Sequence, residues 1–438
     1  HPDCALPRVS LTSPLRQPSA LTSPSTPYHS AAEALANTMA FACVGLLMAI
    51  GFDCAVFLRA PSCAVGSSLT FCGSVAPGRR VPRVDCKSTE GSKITAQDIT
   101  SFIKECETAG AVLDIAGSFA DSRLFNHIHV GAASSKLAKV KNTIDQRDRE
   151  SPSLDKLVDQ VRSLARSRAL PARETANVFG AITSLQKQLP VLLSLMPDLV
   201  AVIDHVAVDL KPQEAVNIIW ACAGCRLDDQ LLNELLPTVA ERIFELLYLR
   251  PDKFVEQDFS NMIWASGTLQ ARGASALPLL DILPALSEVV VRKVVGMTPQ
   301  GVANTLRGLS LLHGKLANNS DVQRILVPSL TTAFVKNSTQ LTAKQLDLDL
   351  PQVVCALAKL EYEDGPFLRA AATRLNGQRK LQGINDWGLC ALTWSFAEVF
   401  KGSELGGFLA SLRTEVERRG FSEELVRRSQ LGPDVWRS

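Results

Sequence analysis

The sequence predicts an all-α fold, an α-solenoid of about seven helix-turn-helix repeats behind a disordered or cleaved N-terminal segment. Three observations predict it. The phrase Asn217-Ile218-Ile219-Trp220-Ala221-Cys222-Ala223 returns as Asn261-Met262-Ile263-Trp264-Ala265-Ser266-Gly267. Aligned on that asparagine, one column holds Ala132, Asn177, Asn217, Asn261, Asn304, Gln352 and Ala391, at intervals of 45, 40, 44, 43, 48 and 39 residues. Such intervals are near those of two-helix solenoid units, with loops of unequal length absorbing the variation. The chain has 438 residues, unusually many for one hydrophobic core, whereas a stack of repeats can lengthen indefinitely.

Columns flanking the anchor define the first helix of each unit. Two places before it stand Val130, Thr175, Ala215, Phe259, Val302, Leu350 and Leu389. Two places after it stand Ser134, Phe179, Ile219, Ile263, Leu306, Val354 and Thr393. Five places after it stand Leu137, Ile182, Cys222, Ser266, Leu309, Leu357 and Phe396. These places recur as i, i+4 and i+7, one face of an α-helix. Pro171, Pro212 and Pro299 precede their anchors and suit a first turn, where a missing N–H costs nothing. A second apolar helix is expected over Leu231, Leu232, Leu235, Leu236 and Val239, another over Leu279, Leu280, Leu283, Leu286 and Val290, and a third over Ile325, Leu326, Leu330 and Phe334.

The organisation expected is a leader over 1–92, the helical array over 93–420 and a tail over 421–438. The leader clusters Ser, Thr, Pro and Cys and has no repeat. Met39 is the candidate initiator, and 39–51 is an uncharged run of signal-peptide length, too short to span a membrane comfortably. From Cys54 to Val84 there is no acidic residue, while Arg59, Arg79, Arg80 and Arg83 supply positive charge. That is transit-peptide composition, and the mature protein is expected to carry no membrane segment. The order of an apolar run followed by Phe71-Cys72-Gly73-Ser74-Val75-Ala76-Pro77 resembles the two-part presequence of algae with secondary plastids. A plastid is therefore the first expectation and the mitochondrial matrix the second, a membrane anchor or a mis-predicted leader being the other readings of the segment.

Charge constrains the partner. Of 46 Lys+Arg and 44 Asp+Glu, seven and five precede residue 93, leaving 39 of each in the rest of the chain. A nucleic-acid binder draws non-specific affinity from net positive charge, so a neutral array would have to segregate its cations on one face. Lys136, Lys139 and Lys141 form one cluster, and Arg162, Arg166, Arg168 and Arg173 another. Ordinary solvated faces account for such charges equally well.

Trp220, Trp264 and Trp394 share a column with Arg307 and Cys355. An exposed ladder could stack bases, but alanine at 221 and 265 allows close helix approach and favours tryptophans buried between helices. Asn177, Asn217, Asn261 and Asn304 are read the same way, as amides bonding backbone between repeats, with a ligand-facing role as the alternative. All seven polar and aromatic members are thus expected to be structural.

Nothing in the sequence points to a metal, a cofactor or a catalytic residue. Six of the eleven cysteines precede residue 93, so no disulfide framework is implied for the body. Cys222-Ala223-Gly224-Cys225 has redox or metal spacing without a second pair or a βαβ setting. His127 and His129 are two apart, the wrong interval for one helix face, and read as a turn and a helix start. There is no phosphate-binding glycine loop and no nucleophile elbow.

The units around Pro212–Ala223 and Gln257–Ala265 resemble octotricopeptide repeats and the leucine-rich helical region of FAST-kinase-domain-containing proteins. The stretch from Ile103 through Phe125-Asn126-His127-Ile128-His129 to Lys139 looks like the first repeat of algal and protist members. The resemblance covers about 97–418. It implies a nucleus-encoded, organelle-targeted solenoid that binds plastid or mitochondrial RNA and governs its stability, processing or translation. The spacings are longer than the family's nominal unit, and Arg307 and Cys355 replace tryptophan. After Phe421 the sequence reads Ser-Glu-Glu-Leu-Val-Arg-Arg and a short tail, without the nuclease-like RAP domain of many relatives, so the chain is not expected to be an enzyme.

Two functions follow as expectations. Single-stranded organellar RNA would lie along the concave helices, read by polar side chains near the helix starts; Lys136, Arg173, Gln213, Gln257 and Gln300 are the candidate contacts. Alternatively the same surface grips a protein partner, which a neutral array does as naturally.

Overall fold

Seven residues ahead of the anchor column, a buried apolar side chain leads into the first helix of six units: Phe125, Leu170, Leu210, Phe254, Met297 and Ile384 are all 3% exposed or less. In the sixth unit that place is Gln345. Polar groups then start the helix. Asn126, Thr298 and Asn385 accept first-turn N–H groups, while the Glu214 and Asp258 carboxylates accept from the Lys211 and Val255 amides, both at 2.9 Å.

The computed structural model describes residues 94–432 apart from 226, 275, 339–341 and 401–404; the leader expected over 1–92 lies outside them. The described residues are mostly helical and include no strand, and they belong to one compact unit, Lys87–Ser438. Two helices come first, α1 (Ala96–Glu105) and α2 (Ala109–Phe119). The first unit follows as α3 (His127–Lys139), a short α4 (Gln146–Arg149) and α5 (Pro152–Arg166), and the second as α6 (Ala172–Leu185) and α7 (Met196–Val206). The third is α8 (Pro212–Gly224) and α9 (Asp229–Leu249). The fourth is α10 (Glu256–Ala271), α11 (Leu277–Asp281) and α12 (Leu283–Lys293). The fifth is α13 (Pro299–Leu312) and α14 (Ser320–Ser338). The sixth is α15 (Ala343–Lys359), α16 (Gly365–Leu375) and α17 (Gln378–Gly383), and the seventh α18 (Asp386–Glu398) and α19 (Gly406–Arg418). A last helix, α20 (Glu423–Arg428), runs into a 3₁₀ turn, Ser429–Leu431.

All seven anchor residues fall on first helices. α3, α6, α8, α10, α13, α15 and α18 pack each against the next, with α1 before them and α20 after. Second helices form another layer, α2 on α5, α5 on α7, α7 on α9, α9 on α11 and α12, and α12 on α14. The core lies between the layers, where every member of the three flanking columns is buried, from Val130 to Phe396.

Small residues let neighbouring first helices approach. Four places after the anchor stand Ala181, Ala221, Ala265, Gly308, Ala356 and Ser395; six places after it stand Thr183, Ala223, Gly267, Ser310, Ala358 and Ala397. The two columns meet across helices: Thr183 Oγ1 donates to the Ala221 carbonyl at 3.3 Å, beside a 2.9 Å bond from Gln186 Nε2 to the Gly224 carbonyl.

A second recurring device closes five of the units. A polar side chain near the end of the second helix donates back to the carbonyl of the buried lead-in residue. Gln160 reaches Phe125 at 3.4 Å, Arg242 reaches Leu210 at 3.1 Å, Lys293 reaches Phe254 at 2.6 Å, Asn337 reaches Met297 at 2.9 Å and Arg419 reaches Ile384 at 2.8 Å. These carbonyls precede the helix and have no ladder partner, so the clasp satisfies them.

Several local expectations are corrected. The second helix of the fourth unit is broken at Ile282, because Pro284 has no N–H to continue it. Ile325 is half exposed rather than core, and Pro171 caps α6 from outside instead of opening it. His127 and His129 are both helical; His129 is buried, its Nδ1 accepting from the Asn126 amide and its Nε2 lying 2.7 Å from the Ala96 carbonyl. The segment set aside as a tail from 421 carries α20 and the 3₁₀ turn, both packed on α18. One described stretch, Pro190–Asp209, is long and apolar enough to cross a membrane; Leu192, Leu195, Leu199 and Ile203 bury its apolar side in the array.

Candidate functional site

Packing above, below and behind leaves the first helices one open stripe, except in the seventh unit, where Trp387, Ala391 and Trp394 are buried. It consists of the anchor and the places four before, three after and seven after it, which a 3.6-residue turn puts on one face. In the second to fifth units every such residue is exposed or half-exposed. The stripe therefore presents Arg173, Gln213, Gln257 and Gln300 at the helix starts and Asn177, Asn217, Asn261 and Asn304 at the anchor. Beyond them come Gly180, Trp220, Trp264 and Arg307, and last Ser184, Gly224, Thr268 and Leu311.

The amides do not bond backbone between repeats. Among the described residues the side chains of Asn177, Asn217 and Asn261 make no hydrogen bond, because each points along the open stripe. Asn304 is the exception, its Oδ1 accepting from Gln352 Nε2 at 3.1 Å across α13 and α15. Trp220 and Trp264 are half-buried, not interior. The alanines at 221 and 265 turn toward neighbouring helices, leaving the indoles beside each other on the face, centroids 6.5 Å apart and planes tilted by 34°. Trp394 is 9% exposed and packs near the end of the row.

Four of the five candidate contacts share one edge: Arg173, Gln213, Gln257 and Gln300 are exposed on successive first turns. Lys136 is apart from them, its ammonium donating to the Lys104 carbonyl at the end of α1, 2.7 Å away. Arg162 and Arg166 lie on α5 in the second layer, where Asp159 and Asp198 pair with them. They contribute nothing to the open stripe. Glu214 and Asp258 cap their own helices and stand off the stripe, whose middle is a row of amides and indoles.

Cys222 and Cys225 are fully buried, and burial pushes the Cys222 thiol far up, away from the thiolate that redox or metal chemistry needs. Among the described residues no three His, Cys, Asp or Glu side chains gather as a metal would require.

The sequence reading missed a group at the far end of the stripe. Arg307, Gln352, Cys355 and Lys359 line a small recess with Trp387, Gln430, Leu431 and Gly432. Burial draws the Lys359 ammonium down from its ordinary value, and the Arg307 charge adds to the effect; burial likewise lifts the Cys355 thiol to about 11. Lys359 occupies the place seven after the anchor, so the repeat register was the available signal.

No protein-family model matches the chain, and no curated protein matches it.

Proposed function

We propose that this protein is an organellar RNA-binding helical-repeat protein, a solenoid of seven helix-turn-helix units that lays single-stranded RNA along the open stripe of its first helices. The observation that carries the reading is the stripe's chemistry. Amides without partners at 177, 217 and 261 alternate with the half-exposed Trp220–Trp264 pair, offering base edges and base faces what each needs. The repeat resemblance and the transit-like composition of 1–92 support the same reading. They place its work in processing, stability or translation of plastid transcripts first and mitochondrial ones second. The chain's role is binding, not catalysis.

The test is binding of the full chain to a pool of organellar transcripts at two salt concentrations. Retention of particular single-stranded sequences, weakening with salt, supports the proposal. A folded protein that retains none at low salt sinks it. A second reading, a scaffold for a protein partner, is favoured by the equal numbers of acidic and basic residues after residue 92; capture of an acidic or mixed-charge peptide with no RNA retained would select it.

A further inference from the structure

The indoles of Trp220 and Trp264 differ from their polar neighbours on the open stripe in what they can exchange. An indole N–H donates and never accepts. Gln213, Asn217, Gln257 and Asn261 each carry donor and acceptor on one rotatable amide, so each can turn to suit either kind of base edge. The Thr268 hydroxyl is spent on the Trp264 carbonyl at 2.8 Å. In the third and fourth units the tryptophans are thus the stripe's side chains committed to one sense of hydrogen bond.

That commitment is unmet inside the protein. Both rings pack against the core along part of their surface and are half-buried. Neither Nε1 makes a hydrogen bond among the described residues. Buried side-chain nitrogens and oxygens without a partner are confined there to Gln188 Oε1 and His313 Nδ1. Both indole N–H groups therefore lie at the surface, which on these helices is the open stripe. Trp387 makes the contrast: in the closed seventh unit its Nε1 donates to the Ser429 carbonyl at 2.9 Å.

Base edges sort by the same chemistry. Uracil and guanine carry an exocyclic keto oxygen, an acceptor, where cytosine and adenine carry an amino group, a donor. Against a fixed N–H the keto oxygen completes a bond, whereas the amino group leaves two donors facing each other. The ring centroids stand 6.5 Å apart, about twice the ~3.4 Å rise per nucleotide of a stacked strand, so the two indoles address different bases of one strand. Gly180 holds the equivalent place in the second unit and has no side chain to add.

We infer that Trp220 and Trp264 select keto bases, uracil or guanine, at two nearby positions of a bound single strand through their indole N–H groups, the neighbouring amides tolerating any base. The inference rests on the RNA reading above and adds base selection to it.

Selection from a pool of single-stranded RNA of randomised sequence tests it, with the full chain as wild type, Trp220→Phe and Trp264→Phe. Phenylalanine keeps an aromatic ring in the packing and deletes the N–H. In the wild-type selection two nearby positions should favour uracil or guanine over cytosine or adenine by about fivefold each, the worth of one neutral hydrogen bond. Each variant should flatten one of these positions and leave the other. A second measurement needs no variant. Placed at either position of a retained sequence, inosine should bind the wild type about fivefold tighter than adenosine, since its base carries a keto oxygen where adenine carries an amino group. Positions that favour amino bases or neither, a preference that survives both variants, or inosine binding no better than adenosine overturns the inference and leaves RNA binding standing. A variant that weakens every sequence alike also overturns it, because the indole would then act through packing or stacking alone. A folded wild type that retains nothing from the pool sinks the RNA reading and this inference with it.

Discussion

Gly267 and Gly308 bring the backbones of α10 and α13 into direct contact: a Cβ on Gly267 would lie 2.4 Å from the Gly308 carbonyl oxygen. The reverse holds too, since a Cβ on Gly308 would lie 2.4 Å from the Ile263 oxygen. The obstructing atoms are backbone, so no rotamer change relieves them, and one helix must shift. Gly308→Ala is expected to cost about 3 kcal/mol, the upper part of the range for overpacking. Chemical denaturation would measure it. Gly180→Ala makes the control, because a Cβ there meets nothing within 4 Å and alanine favours the helix.

The Arg419 clasp should dominate the stability of the seventh unit. Its guanidinium donates to Glu415, to Asp386 and to the Leu381, Gln382 and Ile384 carbonyls at 2.8 to 3.0 Å. Glu415 is buried, and bonds from Arg418 and then Arg419 hold its carboxyl down at about 2. Arg419→Met strands these acceptors and should destabilise by about 3 kcal/mol at neutral pH. Arg418→Met, at an exposed side chain, should change far less. Because the folded-state value of Glu415 is depressed, its contribution is present above the ordinary 4.5 and lost as pH falls through about 2. An acid titration of stability in wild type and Arg419→Met checks the sign.

Asp349 gives the opposite pH dependence. It is buried in α15, and burial raises its carboxyl from 3.8 to about 6. Between those values the folded chain holds a proton that the unfolded chain has released. Stability from this group is therefore full below about 3.8 and falls as pH rises through 6. Asp349→Asn should flatten that decline and, at pH 7, gain up to roughly 3 kcal/mol, about 1.4 for each unit of displacement. A substitution that destabilises equally at pH 4 and pH 7 would contradict the assignment.

What was legible in the sequence was what helix periodicity encodes. The columns at Ala215, Ile219 and Cys222 and their equivalents are buried because one stripe of every first helix faces the core. The lead-in column of Leu210, Phe254, Met297 and Ile384 repeats as faithfully, but it stands before the helix and carries no helical period. Its clasp partners, Arg242, Lys293, Asn337 and Arg419, follow at unequal distances, so no fixed spacing betrays them. Trp394 is buried as expected, but Trp220 and Trp264 were misplaced for a different reason. Alanines at 221 and 265 do mark close helix approach, yet one residue along a helix is a rotation of about 100°, and that turns Trp220 and Trp264 from the contact toward the opening. The recess at Lys359 depends on a segment outside the repeat, Ser429–Leu431, whose fold-back nothing in the periodicity implies.

The open stripe itself makes the last prediction. Since the Asn217 and Asn261 side chains bond nothing in the described structure, Asn217→Ala with Asn261→Ala should leave the unfolding free energy nearly unchanged. If the stripe reads RNA, each lost amide should weaken binding by about 1 kcal/mol, roughly thirtyfold for the pair. Trp220→Ala separates the two roles less cleanly. A half-buried indole contributes to the core, so it should cost about 2 kcal/mol of stability as well as a stacking term of similar size. Salt supplies an independent check. Lys139, Arg173, Arg307 and Lys359 are the cations that the stripe presents among the described residues, and four phosphate contacts on a single strand give a slope of about −3 in log K against log salt. A much steeper slope would put the RNA on another, more basic surface. Unchanged affinity in the double asparagine variant would show that the amides do not touch the ligand.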